Sequence, residues 1–117
     1  MTEEWKFHVG PDGLEIHAPV DVDRAMQTAI WDLATSDIGN SIWTWNEYSD
    51  ALTISAHDSS RASERISGNA TSLHIEGDDV VLEAQYNQWP TVRIPMARFE
   101  AFFNQFGEFL RNLGSGS

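Results

Sequence analysis

The sequence predicts an α+β domain, a largely antiparallel sheet in the order ββ-α-ββ-ββ-β-α with two amphipathic helices packed on one face. Three observations carry this prediction. Apolar and polar residues alternate with a strand period at 5–18 and again at 73–86, each time interrupted by glycine-containing turn residues. A helical period takes over at 22–34. The stretch Ala97–Leu113 then lays a broad apolar stripe along one side of a helix, which needs a sheet to cover it.

The first element points Trp5, Phe7 and Val9 one way and Lys6 and His8 the other. Gly10-Pro11-Asp12-Gly13 has turn composition, after which Leu14, Ile16 and Ala18 alternate with Glu15 and His17. Matching the apolar sets pairs Val9 with Leu14 and Phe7 with Ile16, which puts His8 opposite Glu15 and Lys6 opposite His17. Asp21 or Asp23 then offers a helix N-cap. Val22, Met26, Ala29, Ile30 and Leu33 share one face of the helix that follows, and Asp37-Ile38-Gly39-Asn40 stops it.

Two further strands are expected at Ser41–Glu47, with Trp43 and Trp45 on one face, and at Ala51–His57, with Leu52, Ile54 and Ala56 on one face. Asn46–Asp50 would join them as a second hairpin, and Asp58–Gly68 would be the longest loop. The third hairpin runs from Leu73 and Ile75 through Glu76-Gly77-Asp78-Asp79 to Val80, Leu82, Ala84 and Tyr86. Gly77 first in a two-residue loop suits a type II′ turn. A last strand is expected at Thr91–Pro95. In the C-terminal helix, Met96, Phe99, Phe102, Phe103, Phe106, Phe109, Leu110 and Leu113 fall within about 140° of arc. Gly107 flanks that face, where its lack of a side chain would let the helix approach a strand closely. The domain is expected to span 1–113, and Gly114-Ser115-Gly116-Ser117 reads as an appended linker.

Composition limits function more sharply than any motif. Eighteen acidic residues stand against seven basic ones, a net charge of −11. The excess is lopsided: residues 1–60 hold eleven acids against only Lys6 and Arg24. Such a field attracts cationic partners and repels nucleic acid. The chain has no cysteine, which excludes disulfides, thiolate catalysis and Cys-based zinc sites. The acidic start Met1-Thr2-Glu3-Glu4 is no secretory signal, and no stretch approaches the ~18–20 apolar residues of a membrane span. A soluble, cytoplasmic protein is expected.

No catalytic constellation stands out, and the chain reads as a non-enzyme without metal or cofactor. His8, His17, His57 and His74 are placed on outward strand faces, with no three or four converging ligands. His57-Asp58-Ser59-Ser60 lists triad residue types, but consecutive residues cannot orient one another as a triad does. No glycine-rich loop opens a helix to cradle phosphate. An enzyme or small-molecule binder would need a pocket lined by Trp43, Trp45 and Tyr86.

Trp5, Trp43 and Trp45 share strand faces with aliphatic residues and are expected in the core. Trp31 lies on the polar side of the first helix, in a neighbourhood holding Asp21, Asp23, Asp32 and Asp37. An aromatic anchor ringed by carboxylates suits a basic cleft, so these residues, with Trp89 as a second aromatic, are the candidate partner-binding set.

In size, acidity, absence of a catalytic motif and a sheet closed by the helix Ala97–Leu113, the chain resembles the small acidic immunity proteins of bacterial polymorphic-toxin and contact-dependent inhibition systems. The resemblance implies one-to-one binding of a cognate toxin, often a basic nuclease, at its active site or an adjacent surface. It assigns no residues, because no motif matches position by position. The alternative is a chaperone or adaptor for a secreted effector, which would expose apolar patches for an unfolded segment and for a second copy of itself.

Overall fold

The N-terminal alternation produces the hairpin it implies. The computed structural model describes residues 4–11, 13–39, 41–57 and 66–115, and β1 (Lys6–Gly10) pairs antiparallel with β2 (Gly13–His17). The register sets Val9 against Leu14, Phe7 against Ile16, His8 against Glu15 and Lys6 against His17, as the apolar matching requires. These two strands form a sheet of their own. The second sheet has the order β3-β4-β5-β6, from Ile66–Ser67, Thr71–Glu76, Asp79–Ala84 and Val92–Pro95, and every pairing in it is antiparallel. Between β4 and β5 the loop is Gly77-Asp78, with Gly77 at φ 60° and Asp78 outside the positive-φ region, the pattern of a type II′ turn.

Helix α1 (Arg24–Asp32) begins where Asp23 caps it, the carboxylate accepting from the Met26 amide at 2.9 Å. The helix continues as a π-helical segment, Leu33–Ile38, and ends at Gly39, whose φ of 64° only glycine adopts without strain. Met26, Ala29, Ile30, Leu33, Ala34 and Ile38 are buried along its length.

The stretch 41–57 departs from expectation. It is one helix, α2 (Ile42–His57), and not a hairpin. Ser41 caps it, its hydroxyl accepting from the Thr44 amide at 3.2 Å. Trp45, Tyr48 and Leu52 recur at i, i+3 and i+7 and turn inward, a helical spacing that outweighs the two-residue alternation of the same segment. Trp43 is therefore not a core residue. Two positions from Trp45 on a helix it faces nearly the opposite way, and 77% of it is exposed. Tyr86 likewise lies beyond β5, exposed in the turn that follows.

Helix α3 (Met96–Ser115) is the hub of the core. Phe102, Phe106 and Phe109 meet Phe7 of the hairpin, with ring centroids 6.1, 5.3 and 5.4 Å away. Phe99 and Phe103 are buried beside them, and Trp45 of α2 stacks on Phe103 at 4.6 Å and donates its indole N–H to the Phe103 carbonyl at 2.9 Å. Gly107 does permit a close approach, but to α2: a Cβ there would overlap the Trp45 ring. Helices α1 and α3 both contact β5 and β6, and Leu73, Val80, Leu82, Val92 and Ile94 from the sheet join the same core cluster. The expected α+β architecture holds, with three helices in place of two.

Candidate functional site

The sequence-derived candidates are placed one by one along the α1 side of the molecule, and all four carboxylates are already engaged. Asp23 caps α1. Asp21 pairs with Arg98 of α3 at 2.6 Å, which holds its carboxyl below the usual range. Asp37 accepts from the backbone amides of Ala70 and Thr71, at 2.8 and 2.9 Å, and from the Thr71 hydroxyl. It thereby ties the π-helical segment to the start of β4. Gly68 leaves room for this clasp, since a Cβ there would run into the Asp37 side chain.

Asp32 gathers the turn after β5. Gln88 and Trp89 donate to its Oδ2 at 2.9 and 2.8 Å, and Ser36 donates to Oδ1 at 2.9 Å. Burial works against the ionised form, but these hydrogen bonds outweigh it and hold the carboxyl below its ordinary value. Trp89 is spent in this contact: it is 8% exposed, which removes it from the accessible surface. A carboxyl with a depressed folded pKa contributes stability above its unfolded pKa of ~4 and loses that contribution as pH falls through the folded value. Urea midpoints measured below about pH 5 should therefore fall less steeply for Asp32→Asn than for the wild type. Parallel pH curves would contradict this role for Asp32.

Trp31 keeps 47% of its surface exposed, and its indole N–H donates to the Leu14 carbonyl of β2 at 3.2 Å. It is thus half anchor, half surface, and pins the hairpin to α1. The structure brings Asp32 and Trp89 together but leaves Trp31 without a free carboxylate ring around it.

The surface that does combine a fully presented aromatic with exposed acids is on α2. Trp43, Asn46, Glu47 and Asp50 are all exposed and recur at i, i+3, i+4 and i+7, a single stripe opposite the inward face of buried Trp45 and Tyr48 and partly buried Leu52. Glu47 and Asp50 make no hydrogen bond or ion pair among the described residues. Burial, joined by the charges of Asp37 and Glu47, pushes the Tyr48 phenol up to about 12, so it stays neutral beneath the stripe. Sequence reading missed this site because it placed Trp43 inside. The Ser41 cap and the Trp45–Tyr48–Leu52 spacing were the signals that reveal it.

The remaining constellations resolve into structure. His8 and His17 are exposed; His74 is on the outer sheet face but buried, its Nε2 2.8 Å from Glu76 and its Nδ1 3.4 Å from Glu83. The His57 side chain and Asp58, Ser59 and Ser60 lie outside the described residues. Among the described residues, no group of three or more His, Asp and Glu is placed to hold a metal ion, and no helix is long and apolar enough to cross a membrane. Trp43 and Trp45 point to opposite sides of α2, so they cannot line one pocket with Tyr86. No protein-family model, no curated protein and no solved structure matches the chain. The residues themselves must carry the functional reading.

Proposed function

We propose that this protein is a non-enzymatic inhibitor, of the immunity-protein kind, that neutralises a basic protein partner such as a toxin nuclease by docking the outer face of α2 against it. The observation that carries this reading is Trp43, 77% exposed on a well-formed helix with Glu47 and Asp50 in the same stripe. An indole left in water is unfavourable for the free protein and favourable at an interface, where tryptophan is enriched among residues that dominate binding. The two carboxylates would pair with Lys or Arg around the pocket that takes the ring. The net charge of −11 adds long-range attraction to a cationic surface and repulsion from nucleic acid.

The chaperone alternative calls for a continuous apolar surface. Among the described residues, the exposed large apolar side chains Val9, Val20, Trp31, Trp43, Tyr86 and Leu113 instead fall on six different elements or turns, which supports a single anchored contact over a broad sticky face.

Capture of the partner from the source cell, followed by an assay of that partner's own activity, tests the reading. An inhibitor abolishes the activity at equimolar ratio, whereas a chaperone leaves the folded partner active. Stopped-flow association rates should also fall as salt is raised, because the attraction is screened over a Debye length of about 8–10 Å near physiological ionic strength. A flat salt profile would remove charge steering from the account.

A further inference from the structure

Residues of α2, β4 and α3 border an open groove of about 340 Å³. That volume is at the lower end of the roughly 300–1,000 Å³ typical of ligand clefts, room for a side chain or a small amphiphile. Its floor is apolar, built from Leu52 of α2, Ile75 of β4 and Phe99 of α3. Its lips are polar and come one turn apart on each helix: Ser49 and Thr53 on one side, Glu100 and Asn104 on the other. Among the described residues, the lining contains one carboxylate and no basic residue, and Glu100 is exposed with no hydrogen bond or ion pair.

An apolar floor beneath an exposed carboxylate defines the chemistry of what fits. A neutral apolar group would fill the floor and leave Glu100 solvated at the edge, whereas an anionic one would be repelled. A large apolar group with a cation one or two bonds beyond it satisfies both. We infer that the α2–α3 groove is a socket for an aromatic or large aliphatic side chain lying next to a Lys or Arg on the basic partner. This inference rests on the proposed binding of a basic protein and assigns it a second contact. The groove lies on the α3 side of α2, flanking the stripe that carries Trp43, so one partner surface would meet both. A projecting aromatic on this protein and a receiving pocket beside it would fix register in a way that charge alone does not.

The socket can be tested without the partner. The full chain, labelled with ¹⁵N, is titrated with phenethylammonium chloride and separately with sodium phenylacetate, which share the ring and differ in charge. The expected result is a saturable shift of the Ser49, Thr53, Glu100 and Asn104 amides by phenethylammonium in the millimolar range, with phenylacetate weaker by at least about threefold. Glu100→Gln should erase most of that preference, and Ser49→Phe, which fills the groove from its lip, should remove the shifts for both ions while the amide spectrum stays dispersed. Equal responses to the two ions, a preference untouched by Glu100→Gln, or shifts confined to other surfaces would each overturn the socket. Trp43→Ala should leave these titrations unchanged. A failed titration with intact partner binding therefore rejects the groove alone, whereas a normal titration with no basic partner rejects the inhibitor reading and the socket's role in it, leaving only a site for an aryl cation.

Discussion

Phe106→Ala is expected to cost about 3–5 kcal/mol in urea unfolding. Phe106 is fully buried in α3, stacked on Phe102 at 5.6 Å and near Phe109 at 6.5 Å, and it meets Phe7 of β1 at 5.3 Å. The substitution removes a large apolar surface and leaves a cavity between the hairpin and the helix. It also removes aromatic contacts worth roughly 0.5–1.5 kcal/mol each beyond area burial. Relaxation cannot easily close the gap, because the same helix is held on its other side by Trp45 against Phe103 and Gly107. Phe109→Ala is the internal control: Phe109 is only half-buried, so its truncation should cost less. A urea midpoint unchanged by Phe106→Ala would mean that α3 does not close the core.

Which parts of this architecture were legible depends on how many local signals agreed at each segment. In the two hairpins, alternation, turn residues and matched apolar sets all specified one register, and a slip of one residue would have turned Phe7 and Ile16 outward. In α3, eight large apolar residues on one face left no competing period. In 41–57 the signals conflicted. Trp43 and Trp45, then Leu52 and Ile54, mimic a strand period, and tryptophan, isoleucine and threonine favour strands. Packing decided for the helix, because only a helix delivers Trp45, Tyr48 and Leu52 to one side, with Trp45 seated over Gly107.

The binding candidates were less legible for a related reason. Sequence shows that a carboxylate exists but not what it already holds. Asp32 and Asp37 bind residues 33 to 57 positions away in the chain, at Ala70, Thr71, Gln88 and Trp89. Such partners come from tertiary structure, and no local pattern announces them. Trp89 is a similar case: a Gln-Trp-Pro connection looks like a surface turn, yet its indole N–H has a carboxylate to donate to, which makes burial inexpensive. The helix assignment of 41–57 exchanged one tryptophan for another, taking Trp43 out of the core and making it the principal contact residue of the proposed interface.

The measurement that bears most directly on this interface is the affinity of Trp43→Ala for the captured basic partner, by titration calorimetry, alongside its thermal midpoint. Trp43 makes little of the fold, so the midpoint should stay close to that of the wild type. An anchor of this kind should be worth at least about 2 kcal/mol on binding, roughly a 30-fold loss of affinity. Trp31→Ala provides the contrast: its hydrogen bond to the Leu14 carbonyl makes it part of the hairpin's attachment, so its thermal midpoint should drop and its affinity change less. Trp43→Ala should lose binding and retain the fold; wild-type affinity in that variant would place the contact elsewhere and contradict the proposed interface.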